Sequence, residues 1–301
     1  MTRSRRFSRS SARRALSLIL PLLLAAGCTL SNSPTYVKRD IDKTVENILR
    51  REYKTQAHAR LVGSTLWIYV PVRDLFEKTK GNDPDDKVKE RFELLENESI
   101  IKEGLLRVSY LVKPVVPERE KDQGYKINKK AMEKINNAWE AIRRVAFSMD
   151  PKERDQIQFY VLMAADTVNG LEIRETIYYK DLIKVLYRVI SPGEYHHRVT
   201  VDSGLRSEVI GDTEGTSIKF VDIKFKDFIC KQVEHRVGLK FQKPEVEQSA
   251  DTDKEIKKIL LETLRAYDFT DFSAAEMTNL LTNAKCRLDP ADVRELKKEA
   301  K

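Results

Sequence analysis

The chain has 301 residues, 55 of them Lys or Arg and 47 Asp or Glu, for a formal net charge of +8. That length allows one or two domains with a core large enough to need no disulfide or metal for folding. The charge argues against a nucleic-acid binder: six arginines lie in the first 14 residues, and no basic stripe with interleaved aromatics follows.

Those arginines are Arg3, Arg5, Arg6, Arg9, Arg13 and Arg14, with no acid among them. An apolar run over 15–26 follows, broken by Ser17 and Pro21. It is too short to cross a bilayer, which takes about 20 residues. Pro21 in its middle argues against a buried core helix. A basic start, a short apolar run and small residues at its end predict a cleaved export signal over 1–27. Its removal takes 55 basic residues down to 49 against 47 acidic, so a mixed-charge surface is expected for the rest.

The run ends Leu24-Ala25-Ala26-Gly27-Cys28. This resembles the lipobox of bacterial lipoproteins, with Ala25 where leucine is usual. The resemblance covers the first 28 residues only. It implies cleavage after Gly27, a diacylglyceryl group on the Cys28 sulfur, and acylation of the new amine, as by palmitate. The partner so implied is the lipid bilayer, held through Cys28; two or three chains give stable anchorage where one does not. Arg5-Arg6 and Arg13-Arg14 also look like twin-arginine signals, but the general secretory route is the expectation, since arginine pairs are common in basic leaders. Thr29, not Asp, follows the cysteine. In a host with two membranes that implies the outer membrane, facing the periplasm.

Residues 28–35 read as the lipidated cysteine and a short polar tether, and 36–242 as the body. In the body, 36–54 shows helical spacing of Val37, Ile41, Val45, Ile48 and Leu49. Residues 57–70 read as one central strand closed by Pro71, with a short helix over 73–79 and a loop over 80–87. The 88–99 stretch fits helix or strand, 105–112 is a strand, and 113–126 an exposed loop. A strong helix is expected over 128–148, with Trp139 as a core anchor rather than a ligand platform. Strands over 156–165 and 171–178 flank Asn169-Gly170, a hairpin signal. A helix over 180–190 ends at Ser191-Pro192-Gly193. Strands are expected over 194–201, 206–210 and 217–220, with a turn at 211–215 and a helix over 225–237. Residues 242–252 read as a linker. Helices are expected over 253–267, over 273–285 behind a capping box at Ser273 and Glu276, and from Asp289-Pro290 onward. The 253–301 segment is therefore expected to be a helical appendage.

Candidate chemistry is sparse. Asp74, Asp181 and Asp227 each precede two apolar residues just after an expected strand. They read as helix caps, with three equivalent acidic sites as the rival. His196 and His197, placed on a strand, would point to opposite faces and not share an ion. No metal, cofactor or catalytic motif is expected. The weak site candidates are Asp166 at a strand end, Glu194 and Asp212. Cys230 and Cys286 form an even pair in a compartment that permits disulfides, so both a bridge and two small core residues stay open.

The expected class is α+β: a mixed or antiparallel sheet with packed helices, plus a C-terminal all-helical segment. The expected role is a membrane-anchored cell-envelope lipoprotein, non-enzymatic, serving binding, assembly or accessory work with envelope proteins as partners. An anchored hydrolase using scattered carboxylates and a small-ligand receptor are the alternatives. Convergent acids would mark the first, and an apolar cavity with few acids the second.

Overall fold

A computed structural model describes residues 35–78, 91–115, 125–242 and 251–292. The expected signal and tether with Gly27, Cys28 and Thr29, the 80–87 loop, the middle of the 113–126 loop, most of the linker and the final helix beyond 292 lie outside these ranges. The described residues form an α+β fold, with helices packed on mixed and antiparallel sheets.

The apolar stripe after Tyr36 forms helix α1 (Ile41–Arg51), which buries Ile41, Val45, Ile48 and Leu49. The stretch expected as one strand is a hairpin. Strand β1 (His58–Val62) turns at Gly63 into β2 (Thr65–Val72). Gly63 has φ +60°, and a Cβ there would lie 2.4 Å from Cγ of Asp222, so the turn takes no side chain. Pro71 does not close the strand; it sits inside β2, opposite Ala165. Because β1 ends opposite Tyr69, Pro71 has a strand neighbour on one side only and its missing N–H is tolerated.

The helix expected over 73–79 is absent. Asp74 takes φ +55°, and β3 (Phe76–Lys78) follows, paired with β6 (Tyr125–Ile127). The ambiguous 88–99 stretch is strand: β4 (Arg91–Lys102) pairs antiparallel with β5 (Leu105–Val115), with a bulge between Leu94 and Glu96. Helix α2 (Lys129–Phe147) is as expected, capped by Asn128. A short helix, α3 (Pro151–Arg154), leads to β7 (Phe159–Asp166) and β8 (Leu171–Tyr178), the hairpin signalled by Asn169-Gly170. Helix α4 (Tyr179–Leu186) follows β8 directly.

Residues 194–201, expected as a strand, mostly form helix α5 (Pro192–Arg198). The Ser191 side chain caps it by accepting the Glu194 N–H at 3.0 Å, and Pro192 occupies the first turn. The strand there is β9 (Thr200–Leu205), antiparallel to β8. The strands expected over 206–210 and 217–220 are absent: Ser207–Val209 is a 3-10 turn, and the chain to 224 carries no strand. Its apolar residues Val209, Ile218 and Phe220 lie down on Tyr69, Met163 and Ala165. Hydrogen bonds hold this cover: Trp67 Nε1 donates to the Val221 carbonyl at 2.8 Å, and the Tyr69 hydroxyl to the Asp212 carbonyl at 2.6 Å. The segment has a strand-like composition because a cover over a sheet needs the same side chains.

Helices α6 (Phe225–Gln242) and α7 (Thr252–Ala266) follow. The segment expected as a helix over 273–285 is not helical, whereas 290–292 is, as expected from Asp289-Pro290. Instead the chain forms β10 (Ala274–Asn279) and β11 (Lys285–Leu288), and β10 lies parallel to β5. Ser273 does not cap a helix; both its N–H and its hydroxyl donate to the Gly104 carbonyl. Burial along β10 alternates after its first two residues, which binds it to a sheet face regardless of the capping-box pattern.

Three sheets result among the described residues: β1-β2-β7-β8-β9, β11-β10-β5-β4 and the two-stranded β3-β6. The first core sits between α1, α2 and one face of the first sheet, through Leu66, Ile68, Val70, Tyr160 and Leu162. The second joins α6 and α7 to β5 and β10, through Val108, Phe228, Leu260 and Met277. The C-terminal segment is therefore half of a core, not an appendage.

Candidate functional site

The acids singled out in the sequence are dispersed and saturated. Asp166, fully buried, accepts the N–H groups of Leu75, Val168 and Asn169 at 2.8–2.9 Å, and the Asn169 amide. Burial pushes its carboxyl up, but these bonds outweigh burial and hold it below the ordinary value. Glu194 accepts from Arg198 at 2.7 Å and Arg236 at 2.8 Å, which overcome its desolvation and lower it too. Asp212 gathers the backbone N–H groups of Glu214, Thr216 and Ser217, together with the Ser217 hydroxyl. Against the cost of burial they bring it down to about 2. All three hold loops or helices together, and none shares a ligand-facing position with another.

Asp74, Asp181 and Asp227 are not equivalent sites, and Asp181 is not a cap. The N-cap position of α4 is Tyr178, whose side chain makes no capping bond, while Asp181 lies within the helix, buried and paired with Arg198. His196 and His197 lie on helix α5, where neighbours are about 100° apart. Among the described residues no group of three or more His, Cys, Asp and Glu converges as a metal site would. Cys230 and Cys286 are free thiols rather than a bridge. Cys230 is buried in the second core, and Cys286 packs at its border.

A groove of about 940 Å³ lies over the outer part of the first sheet. Helix α2 supplies one wall through Trp139, Arg143 and Phe147, spaced four apart on one helical face. Strand β8 supplies the floor through Glu175 and Ile177, two apart on one sheet face. The opposite wall is the α4–α5 connection, with Leu186, Val189, Tyr195 and His196. Its rim is apolar and open: Val189 is 69% exposed, Leu186 53%, and Val201 on β9 48%. Beside the rim, β9 is the last strand of its sheet.

One acid reaches this groove. Glu175 accepts a hydrogen bond from Trp139 Nε1. Burial pushes its carboxyl above the ordinary value, partly offset by Trp139 and His196. Burial also raises the Tyr195 hydroxyl, with Arg143 opposing the shift and Asp181 and Glu175 adding to it. Its hydroxyl therefore stays protonated at neutral pH. Such a groove can enclose an apolar body while a few polar groups orient it.

Trp139 therefore serves both readings. It packs on the first core and also lines the groove. Glu175 carried a signal that sequence reading passed over. Along 171–178 it is the only acid on the face shared by Leu171, Ile173 and Ile177.

Comparison with protein-family models, with curated proteins and with solved structures returns no match for this chain. The groove is thus read on its own chemistry.

Proposed function

We propose that this protein is a cell-envelope lipoprotein, anchored through acylated Cys28, that acts as a non-enzymatic binding protein with the groove over β8 as its binding surface. The observation that carries the reading is the groove: a ligand-sized apolar concavity with one acid and a rim of exposed apolar side chains. The placement at the outer membrane, facing the periplasm, rests on Thr29 and on a two-membrane host. Envelope proteins are the alternative class of ligand, and the free edge of β9 offers them a second foothold. The hydrolase reading draws no support from Asp166, Glu194 and Asp212, whose carboxylates are taken up by structural hydrogen bonds.

The test is photo-crosslinking in intact membranes from a probe residue placed at Val189, with Lys152, exposed on α3, as the control position. A discrete adduct from Val189 and none from Lys152 is expected. Equal adducts from both, or none from Val189, would refute the groove as the binding surface. Cys28→Ala tests the anchor: the variant is expected to lose processing and membrane attachment, and its normal processing would refute the lipoprotein reading.

A further inference from the structure

The groove has three chemical parts. The first is apolar: Ile135, Phe147, Ile177, Leu182, Val185 and Val189 line it. The second is basic: Arg143 on α2, which also pairs with Glu140, and Arg188 across from it face the same space, with His196 in the same lining. Guanidinium groups bind phosphate well and in defined geometry. The third is the Glu175 carboxyl, which accepts the Trp139 indole N–H; Tyr195 lines the same groove. As the one acid among the lining residues, it is the group that can pair with an ammonium.

The start of the described body bears on the source of such a ligand. The Tyr36 N–H donates to the Ser148 carbonyl, next to Phe147 at the α2 end of the groove. Seven residues, 29–35, separate Tyr36 from Cys28, a reach of at most about 23 Å. With Cys28 acylated as proposed above, a body on so short a tether would work beside the bilayer.

We infer that the groove holds one phospholipid with a primary ammonium headgroup, its acyl chain along the apolar walls, its phosphate at Arg143 and Arg188, and its ammonium at Glu175. The inference rests on the groove being the binding surface and names the class of ligand. Apolar walls alone would accept any acyl chain, and the cations alone would favour an anionic lipid. Glu175 sets the preference, because it repels an acidic headgroup and pairs with an ammonium.

The test uses the full chain in detergent, titrated with phosphatidylethanolamine carrying brominated acyl chains, and separately with phosphatidylglycerol carrying the same chains. Bromine quenches nearby indole fluorescence. Trp139 is in the groove, whereas Trp67 is 3% exposed and packs against Phe220. Quenching is expected in the wild type and absent in Trp139→Phe, which keeps Trp67. Phosphatidylethanolamine is expected to bind about tenfold tighter than phosphatidylglycerol, with that preference lost in Glu175→Gln. Val189→Asp, at an exposed rim position, is expected to weaken both lipids about tenfold. Equal binding of the two lipids by the wild type, or quenching undiminished by Val189→Asp, would overturn the inference. A protein adduct from the Val189 crosslinker without any lipid quenching would overturn the lipid and leave the groove standing; absence of both would remove both.

Discussion

Arg198 Nη1 donates to Asp181 Oδ1 at 2.8 Å, and both side chains are more than nine-tenths buried. The same guanidinium donates from Nε to Glu194 at 2.7 Å and lies 5.5 Å from the centroid of the Tyr267 ring. The Gln232 amide donates to the Arg198 carbonyl. One arginine on α5 thereby ties α4, α6 and the end of α7 together.

A buried pair gives little net stability over a packed apolar pair, but removing one partner leaves the other under-paired: of its charged partners Arg198 keeps only Glu194, and Asp181 only Lys184 at 3.6 Å. Asp181→Ala and Arg198→Met, each alone, are expected to destabilise the fold by about 3–5 kcal/mol. The double variant Asp181→Leu with Arg198→Met is expected to recover most of that loss. Urea unfolding midpoints measure all three. Single variants with unshifted midpoints would show that the pair is not what joins the helices.

Acid should weaken the cover over the first sheet. Asp212 is lowered to about 2, chiefly by the hydrogen bonds from Ser217 working against burial, and Asp222 to about 2, chiefly by Lys224. A carboxyl lowered on folding stabilises the fold above its unfolded value, near 3.8, and that contribution is lost as pH falls towards 2. Wild-type stability should therefore drop between about pH 4 and pH 2. In Asp212→Asn the drop should be shallower, as followed by melting temperature at fixed ionic strength.

Glu175 should act with the opposite sign. Its carboxyl is raised by burial above 4.5, so the folded protein holds its proton more tightly than the unfolded chain does. The contribution is present below about pH 4.5 and is lost as pH rises through the folded value. Glu175→Gln, which stays neutral, is expected to melt above wild type at pH 7 and level with it at pH 4. A variant that melts below wild type at pH 7 would show that the charged form is favoured in the groove.

The two thiols should react at different rates. Burial, with Glu234 and Asp227 adding, pushes Cys230 up to about 12, so little thiolate forms at pH 8. Cys286 is part-exposed on β11. Iodoacetamide at pH 8 should modify Cys286 in the native protein and reach Cys230 only after urea is added. Mass spectrometry of the digested chain reads both sites, and a Cys230–Cys286 linked peptide would contradict the free thiols.

Local pattern was enough wherever an element meets its own core at its own period. Helices α1, α2 and α7 carry apolar residues three and four apart, and strands β5, β7 and β8 follow directly from their side chains. Asn169-Gly170 marked the hairpin between β7 and β8. The expectation of an export signal over 1–27 uses no fold either, because such signals act on the unfolded chain.

Tertiary structure decided the rest, because the same side chains serve different elements according to what they meet. Ile218 and Phe220 look like strand residues and are a cover. Ser273 and Glu276 look like a helix start, yet pairing with β5 draws that segment into a sheet. Asp181 looks like a cap and is the buried partner of an arginine 17 residues away. The groove was least legible of all. Its walls come from α2, β8 and the α4–α5 connection, and no local period records that Trp139, Glu175 and Val189 share one space. Only the lone acid on the apolar face of β8 marked it in the sequence, and its meaning depended on the helix that packs beside it.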